Sequence, residues 1–184
     1  SGLGNAEVVH RETDSVGGFS GRYEARFEMM KRSGDWSRAH PWFECFLSPS
    51  RAASMIRRAL ELLPPFFGDG HRMFAIKVDE RLEFLSMPEA EGGFVIAFAV
   101  LPTAIPEWAL GDALGALARL QDLVQSEGGK RYLSGWLGSP GPEFWKTHYG
   151  ARYERWVNEK LRHDPSGVFS SAMFAPLDAA VYAR

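Results

Sequence analysis

The chain has 184 residues, a formal net charge of −2 and a single cysteine, Cys45. Its length suits one domain with a substantial core, and the near-neutral charge argues against long-range attraction to nucleic acid or to an anionic membrane. One cysteine excludes an internal disulfide or a multi-cysteine metal site, and no apolar run approaches the roughly 20 residues that span a bilayer.

The N-terminal segment is the least patterned part of the sequence. Residues 1–18 hold four glycines and little periodicity, so we expect at most a short strand over 7–11. The Ser1-Gly2 start is typical of the scar of a cleaved tag, and we therefore expect the chain to be part of a longer protein. A helix is predicted over 20–32, with Ser20 as its N-cap.

From residue 42 onwards the pattern is regular. In chain order the predicted elements are a strand over 42–47, a helix over 50–63, a strand over 73–78, a short strand over 82–87, a strand over 94–101, a helix over 106–127 and a short strand over 130–134. This order indicates an α+β, ferredoxin-like fold, in which an antiparallel sheet carries helices on one face. Residues 140–184 predict a helical tail that breaks near Gly150.

The strand over 94–101, FVIAFAVL, is apolar on both of its faces. A sheet with one solvated face should alternate apolar and polar residues, so this run indicates that both faces are covered. Helices cover one face. The other face needs a second layer, which a tail, another subunit, a missing domain or a ligand could supply.

Few residues offer familiar chemistry. The sequence has no GxGxxG, P-loop, HExxH or GxSxG motif, and its five histidines share no ligand spacing, so no metal site is predicted. Cys45 shares a strand face with Phe43 and Leu47, which favours a buried, inert thiol over a nucleophile.

Glu44 stands out because it is a carboxylate inside an aromatic strand. Alternation places it with Trp42 and Phe46, opposite the face of Cys45. Two interpretations stay open, an edge-strand charge in water or a group in a binding pocket.

The later aromatic residues favour packing. By spacing, Tyr132 reads as a core tyrosine with a hydrated hydroxyl group. The helical repeat of Trp145, Tyr149, Tyr153 and Trp156 is more typical of core packing than of a platform for nucleic-acid bases.

Two segments carry motifs in a distinctive order. The first holds a Gly-x-Trp, a His-Pro-Trp leading a strand and a Ser-Arg pair opening a helix; these are Gly34-Asp35-Trp36, His40-Pro41-Trp42 and Ser50-Arg51. The second holds Lys130, Tyr132, Leu133, Trp145, His148, Tyr149, Gly150, Trp156, Lys160, Asp164 and Pro165. Together, over roughly residues 22–175, they resemble the cytokinin dehydrogenase group of FAD-linked oxidases, of the vanillyl-alcohol-oxidase type.

The resemblance implies that the chain is a substrate (cap) domain. In that family the cap packs on a separate, preceding FAD-binding domain, which supplies most FAD contacts and the catalytic aspartate; no catalytic residue is therefore assigned here. The resemblance implies that Trp42, Glu44, Tyr132 and Leu133 bind substrate, and that Tyr132 and Met173 lie at the flavin. Glu44 stands where the plant enzymes have asparagine, and Ser171-Ala172-Met173 replaces their Pro-Gly-Gln.

The leading hypothesis is thus the cap domain of a FAD-dependent oxidoreductase that acts on a small-molecule substrate. Its partner would be the N-terminal FAD-binding domain of the same full-length chain, and no nucleic acid or membrane partner is expected. The alternative is a ferredoxin-like binding or dimerisation module without redox activity, and a homodimer through the apolar sheet face is compatible with both. A third hypothesis is a small stand-alone enzyme that uses Glu44 and a histidine.

Overall fold

The computed structural model describes residues 13–68, 70–78, 87–88, 90–138 and 140–169. They form two compact units, one ending at Ser37 and one beginning at Arg38. The protein is mixed helix and strand with a four-stranded antiparallel sheet, which agrees with the predicted α+β class. The predicted strand over 7–11, and that over 82–87 apart from its last residue, lie outside the described residues.

The first unit contains two helices, α1 (Val16–Gly21) and α2 (Glu24–Ser33). The helix predicted over 20–32 with Ser20 as N-cap is wrong at its start, because Ser20 lies inside α1 and α2 begins only after Tyr23, which makes no side-chain cap hydrogen bond. The N-cap of α1 is Ser15, whose hydroxyl accepts a hydrogen bond from the Gly18 amide at 3.0 Å. Gly34, with a φ of +79°, ends α2 in the left-handed region that glycine adopts without steric cost.

The sheet lies in the second unit. Its strands are β1 (Phe43–Leu47), β2 (Arg72–Lys77), β3 (Phe94–Val100) and β4 (Lys130–Arg131). The spatial order is β2-β3-β1-β4, and each neighbouring pair is antiparallel. The last strand was predicted over 130–134 but is only two residues long, because the chain turns at Gly135, where φ is +69°.

Two helices pack against one face of the sheet. They are α3 (Pro49–Leu62), which follows β1, and α4 (Leu110–Ser126), which follows β3 after a turn of 3-10 helix at Glu107–Ala109. The buried cluster that they form with the sheet includes Phe43, Cys45, Leu47, Met55, Phe98, Val100, Leu117 and Leu120. The predicted helix-packed face of β1 is therefore confirmed.

The Ser-Arg pair at the start of α3 has a structural role. Both carboxylate oxygens of Glu91 accept hydrogen bonds from Ser50, from its amide at 2.8 Å and from its hydroxyl at 2.6 Å. The hydrogen bonds from Ser50 hold the pKa of Glu91 below its usual value. Arg51 instead forms an ion pair with Glu127 at the end of α4.

The tail contains α5 (Pro142–Tyr149) and α6 (Tyr153–His163), joined by a 3-10 turn at Gly150–Arg152. Its aromatic stripe is buried as predicted, with Trp145 and Tyr153 in one cluster. The motif residues Lys160 and Asp164 form an ion pair at 3.5 Å, and Asp164 accepts hydrogen bonds from the amides of residues 168 and 169. No helix among the described residues is both long and apolar enough to cross a membrane.

Candidate functional site

The side of the sheet opposite α3 and α4 is called here the distal face. Register places Glu44 opposite Ala99 and Ala99 opposite Arg72, so these three residues share that face. Its described members are Trp42, Glu44, Phe46, Arg72, Phe74, Ile76, Val95, Ala97, Ala99, Lys130 and Tyr132. Strand β3 is buried on both faces over most of its length, since Val95 and Ala99 are buried on this side and Phe98 and Val100 on the other.

Glu44 is half-buried on the distal face and held by one side-chain contact. The Ser134 hydroxyl donates a hydrogen bond to Glu44 Oε2 at 2.5 Å. Among the described residues, Glu44 Oε1 has no hydrogen-bond partner. The contact with Ser134 therefore orients the carboxylate through its Oε2 atom.

Aromatic rings stand beside this carboxylate. Trp42 is 42% exposed and Tyr132 is 44% exposed. The Tyr132 amide donates to the Glu44 carbonyl at 3.0 Å, and the Tyr132 ring meets the Phe46 ring edge-on, with centroids 5.6 Å apart. The spacing argument for a core tyrosine is wrong, because nearly half of the side chain is exposed.

A tight turn presses the segment 132–136 against β1. The Trp136 amide donates to the Trp42 carbonyl at 2.8 Å. A Cβ on Gly135 would lie 2.5 Å from that same carbonyl oxygen, so only glycine fits there. This close approach positions Ser134 to reach Glu44.

Arg131 underlies the site from the helix side of the sheet, where it is 1% exposed. Its guanidinium donates to the carbonyls of Glu44 and Trp136 and to Gln121 Oε1, at 2.9–3.0 Å, and lies 3.7 Å from the Phe43 ring centroid. Within the described part of the chain it forms no ion pair. Burial lowers the pKa of Arg131 to about 10.

Three other residues were singled out from the sequence. Leu133 packs against the tail cluster that contains Trp145. Met173, the predicted flavin contact, lies outside the described residues. Cys45 is buried on the helix side, where burial raises its pKa to about 12, in agreement with the inert thiol predicted from the sequence.

Two cationic or titratable groups complete the surroundings. Lys130 shares the distal face, but its Nζ donates to the Thr147 carbonyl at 2.9 Å, near the end of α5. His148 is buried in the tail, and burial, with the charges of Lys130 and Arg131, lowers its pKa to about 4. Of the titratable side chains described at this site, Glu44 is the acidic one, and Lys130, Arg131 and His148 are basic groups.

Sequence reasoning missed two residues that shape the site, Ser134 and Arg131. Strand alternation between Lys130 and Tyr132 points Arg131 toward the helices, which is a signal for its burial. The Ser134 contact joins residues 90 positions apart, and no local pattern indicates it.

The arrangement can orient and polarise a bound molecule. A carboxylate in a partly apolar setting can accept a hydrogen bond or a proton, and adjacent rings can hold an apolar body. No protein-family model matches the chain, and a search of curated proteins gives no significant match. The resemblance to the cytokinin dehydrogenase group therefore stays a prediction based on the sequence motifs.

Proposed function

We propose that this chain is the substrate-binding (cap) domain of a FAD-dependent oxidoreductase resembling cytokinin dehydrogenase, with the distal face as one wall of the substrate pocket. The observation that carries the proposal is the setting of Glu44: one oxygen is held by Ser134, and partly exposed Trp42 and Tyr132 stand beside it. Surfaces that combine apolar groups with a few placed polar groups are typical of small-molecule binding.

The fold proposed for this domain is ferredoxin-like. The spatial strand order β2-β3-β1-β4 supports that topology, as do the helices that follow β1 and β3. In such a sheet the face opposite the helices is the natural place for a second layer, which would here be the flavin domain of the full-length protein.

The residues on the distal face fit one edge of a flavin site rather than a complete one. Bound FAD would accept a hydride from a substrate C–H bond next to nitrogen or oxygen. Tyr132 offers a partly exposed ring to the edge of such a ring system. A carboxylate such as Glu44 repels a diphosphate, so the proposal assigns that part of FAD to the preceding domain.

Within this proposal each side chain has a distinct role. Trp42 and Tyr132 are walls that exclude water and hold the apolar part of the substrate. Glu44 accepts a hydrogen bond from a polar substrate group, or accepts the proton released as the hydride leaves. Ser134 fixes the carboxylate so that the same oxygen always faces the substrate.

The test uses the natural full-length protein. We expect it to purify with a visible flavin absorption band that bleaches when a substrate amine or alcohol is added anaerobically. Glu44→Gln should slow the bleaching about a hundredfold, which is within the usual contribution of a positioned acid or base. The matched control is Glu107→Gln, an exposed glutamate at the start of the turn before α4, which should leave the rate unchanged.

Two results would contradict the cap-domain proposal. One is a full-length protein that binds no flavin. The other is the 184-residue chain alone becoming flavin-loaded, since the proposal places most FAD contacts outside it.

The second candidate is a binding or dimerisation module without redox activity. It is favoured by three aromatic side chains of the distal face that are each more than 40% exposed, namely Trp42, Phe74 and Tyr132. It predicts a dimer by light scattering that Phe74→Ser dissociates, in a full-length protein without flavin. A monomer at high concentration would contradict it.

A further inference from the structure

Strand β2 is an edge strand that adds no side chain to the main core. It lies at one end of the sheet and, in the described part of the chain, pairs only with β3. Among the described residues, the cluster that α3 and α4 form with the sheet includes members of β1 and β3 but none of β2. Yet β2 is apolar over 73–76, and Met73 and Phe74 are 65% and 48% exposed. Since these two side chains lie on opposite sides of the sheet, both sides of this edge carry exposed apolar surface.

The free edge of β2 presents the backbone groups of its odd-numbered residues. The Val78 amide donates to the Gly93 carbonyl at 3.0 Å, and this pair continues the register of β2 with β3. Hydrogen-bonded pairs alternate along an antiparallel ladder, so the even-numbered residues of β2 bond to β3 and the backbone groups of Met73, Ala75 and Lys77 point away from it. All three residues are exposed, which leaves this edge accessible to a further strand.

The edge of β2 lacks the features that usually prevent strand addition. Natural proteins protect an edge with proline, a bulge, a very short strand or a charge within it. Strand β2 has six residues and no proline, its register with β3 is unbroken, and its two charged residues, Arg72 and Lys77, are its first and its last. The middle of the edge is therefore suited to pairing with another strand.

We propose that β2 pairs with β2 of a second copy of this chain, antiparallel and centred on Ala75, so that the two four-stranded sheets join into one. Ala75 then lies opposite Ala75, and Met73 of each copy lies opposite Lys77 of the other. These are the residues whose backbone groups are free, and they would form about six hydrogen bonds, two for each of three pairs. A two-fold axis through the Ala75 pair relates the copies, which makes the dimer closed.

The side chains favour this register. On the distal side, Phe74 of one copy lies opposite Ile76 of the other, and pairs of an aromatic and a β-branched residue stabilise neighbouring strands. Arg72 lies opposite Val78 and Lys77 opposite Met73, so no charge directly faces a like charge. A shift of two residues in either direction leaves one free residue of each edge without a partner in the other β2.

This inference goes beyond the cap-domain proposal and does not rest on it, because the pairing uses the edge of the sheet and not its distal face. It also differs from dimerisation through the distal face, since Ala75 lies on the helix side of β2. Position 75 therefore separates the two kinds of dimer.

The test is sedimentation velocity of this 184-residue protein from about 1 to 200 µM. A single strand pair is a small interface, so we expect a monomer at the lowest concentration and a dimer at the highest. Ala75→Lys and Ala75→Glu each place like charges opposite each other at the two-fold axis and should stay monomeric. An equimolar mixture of the two variants should dimerise again. Ala118→Lys, at an exposed position on α4, is the control and should dimerise like the wild type.

Cysteine variants test the register itself. Ala75→Cys should form a disulfide between copies under mild oxidation, because the Cα atoms of an opposed hydrogen-bonded pair are about 5.5 Å apart. Lys77→Cys should not, because its two copies lie four residues apart along the strands, at about 13 Å. The natural Cys45 is buried and should not react in either variant.

Three results would overturn the edge-pairing proposal. They are a wild-type protein that stays monomeric at about 200 µM, an Ala75→Lys variant that dimerises as well as the wild type, and a mixture of the Lys and Glu variants that stays monomeric. Circular dichroism of each variant confirms that it is folded. The cap-domain proposal fails separately, on the flavin content of the full-length protein.

Discussion

The two faces of strand β1 are built from alternate residues of one short sequence, yet they differ in almost every physical property. On the helix side, Phe43, Cys45 and Leu47 are at most 1% exposed and belong to the main core. On the distal side, Trp42, just before the strand, is substantially exposed, Glu44 is half-buried and Phe46 is buried. One strand thus contributes both to stability and to a candidate binding surface, because its side chains alternate with period two.

The charges of the two faces are also of opposite sign. The helix side holds the buried guanidinium of Arg131, and the distal side holds the carboxylate of Glu44. Arg131 and Glu44 are linked through the Glu44 carbonyl, which accepts from Arg131 Nε at 3.0 Å. The buried face therefore fixes the backbone from which the distal side chain projects.

The largest expected effect comes from removing Arg131. Arg131→Ala should lower the free energy of unfolding by about 3–5 kcal/mol, because it removes hydrogen bonds to three part-buried acceptors and opens a cavity. Arg131→Met should cost less, since it fills the space and removes a desolvated charge. Urea denaturation measures both.

The control for this experiment is Arg119→Ala, an exposed arginine on α4. It should change the free energy of unfolding by no more than about 0.5 kcal/mol. Equal losses for Arg119→Ala and Arg131→Ala would show that Arg131 does not join the two faces.

His148, in the tail helix α5, offers a second comparison between a buried and an exposed ionisable group. Its pKa is lowered to about 4 by burial, so the unfolded chain binds more protons than the folded one between about pH 4 and 6.5. Stability should therefore be complete above about pH 6.5 and fall with decreasing pH, by at most about 3 kcal/mol from this group. Thermal or urea unfolding across this range measures the slope.

One variant tests that interpretation. His148→Gln cannot titrate and should reduce the slope, although it also changes packing. A wild-type protein with no loss of stability between pH 6.5 and 4 would contradict burial of a neutral histidine.

Much of the helix-side architecture was predictable from local pattern. The apolar alternation of 43–47 and 94–100 and the helical stripes of α3 and α4 depend on spacing within one segment, and their predicted ends lie within a few residues of the structure. The chain start was less predictable, because Ser15 and Ser20 are equally suitable N-caps and only the fold selects between them.

The candidate site was predictable only in part. Alternation placed Glu44 beside Trp42, and the sequence motifs pointed to Tyr132. The sequence could indicate the burial of Arg131 by alternation, but not the contacts of Ser134, Arg131 or Arg72, because these depend on the register between strands and on a turn at Gly135. Such long-range contacts leave no periodic signal in a single sequence.

Gly135 tests whether the distal site depends on that turn. Gly135→Ala should lower the free energy of unfolding by about 2–4 kcal/mol, because it adds a clash with the Trp42 carbonyl to the usual cost of a left-handed alanine. Gly128→Ala is the matched control: its φ is +75° and an added Cβ would meet nothing within 4 Å. If both variants lower the free energy of unfolding equally, the close approach of Gly135 to the Trp42 carbonyl is not the cause of the loss.

The smallest expected effect concerns the single contact that orients the carboxylate. Ser134→Ala and Glu44→Gln should each lower the free energy of unfolding by about 1 kcal/mol or less, since a partly buried hydrogen bond has a modest net value. A double-mutant cycle should show a coupling of about 0.5–1 kcal/mol between them, and Ser134→Ala paired with Glu107→Gln should show none. If the first pair is also additive, Ser134 does not hold Glu44 in solution, and the carboxylate is as mobile as any half-buried glutamate. The cap-domain proposal would then lose its fixed acceptor while the helix side of the sheet, which does not depend on this contact, stayed intact.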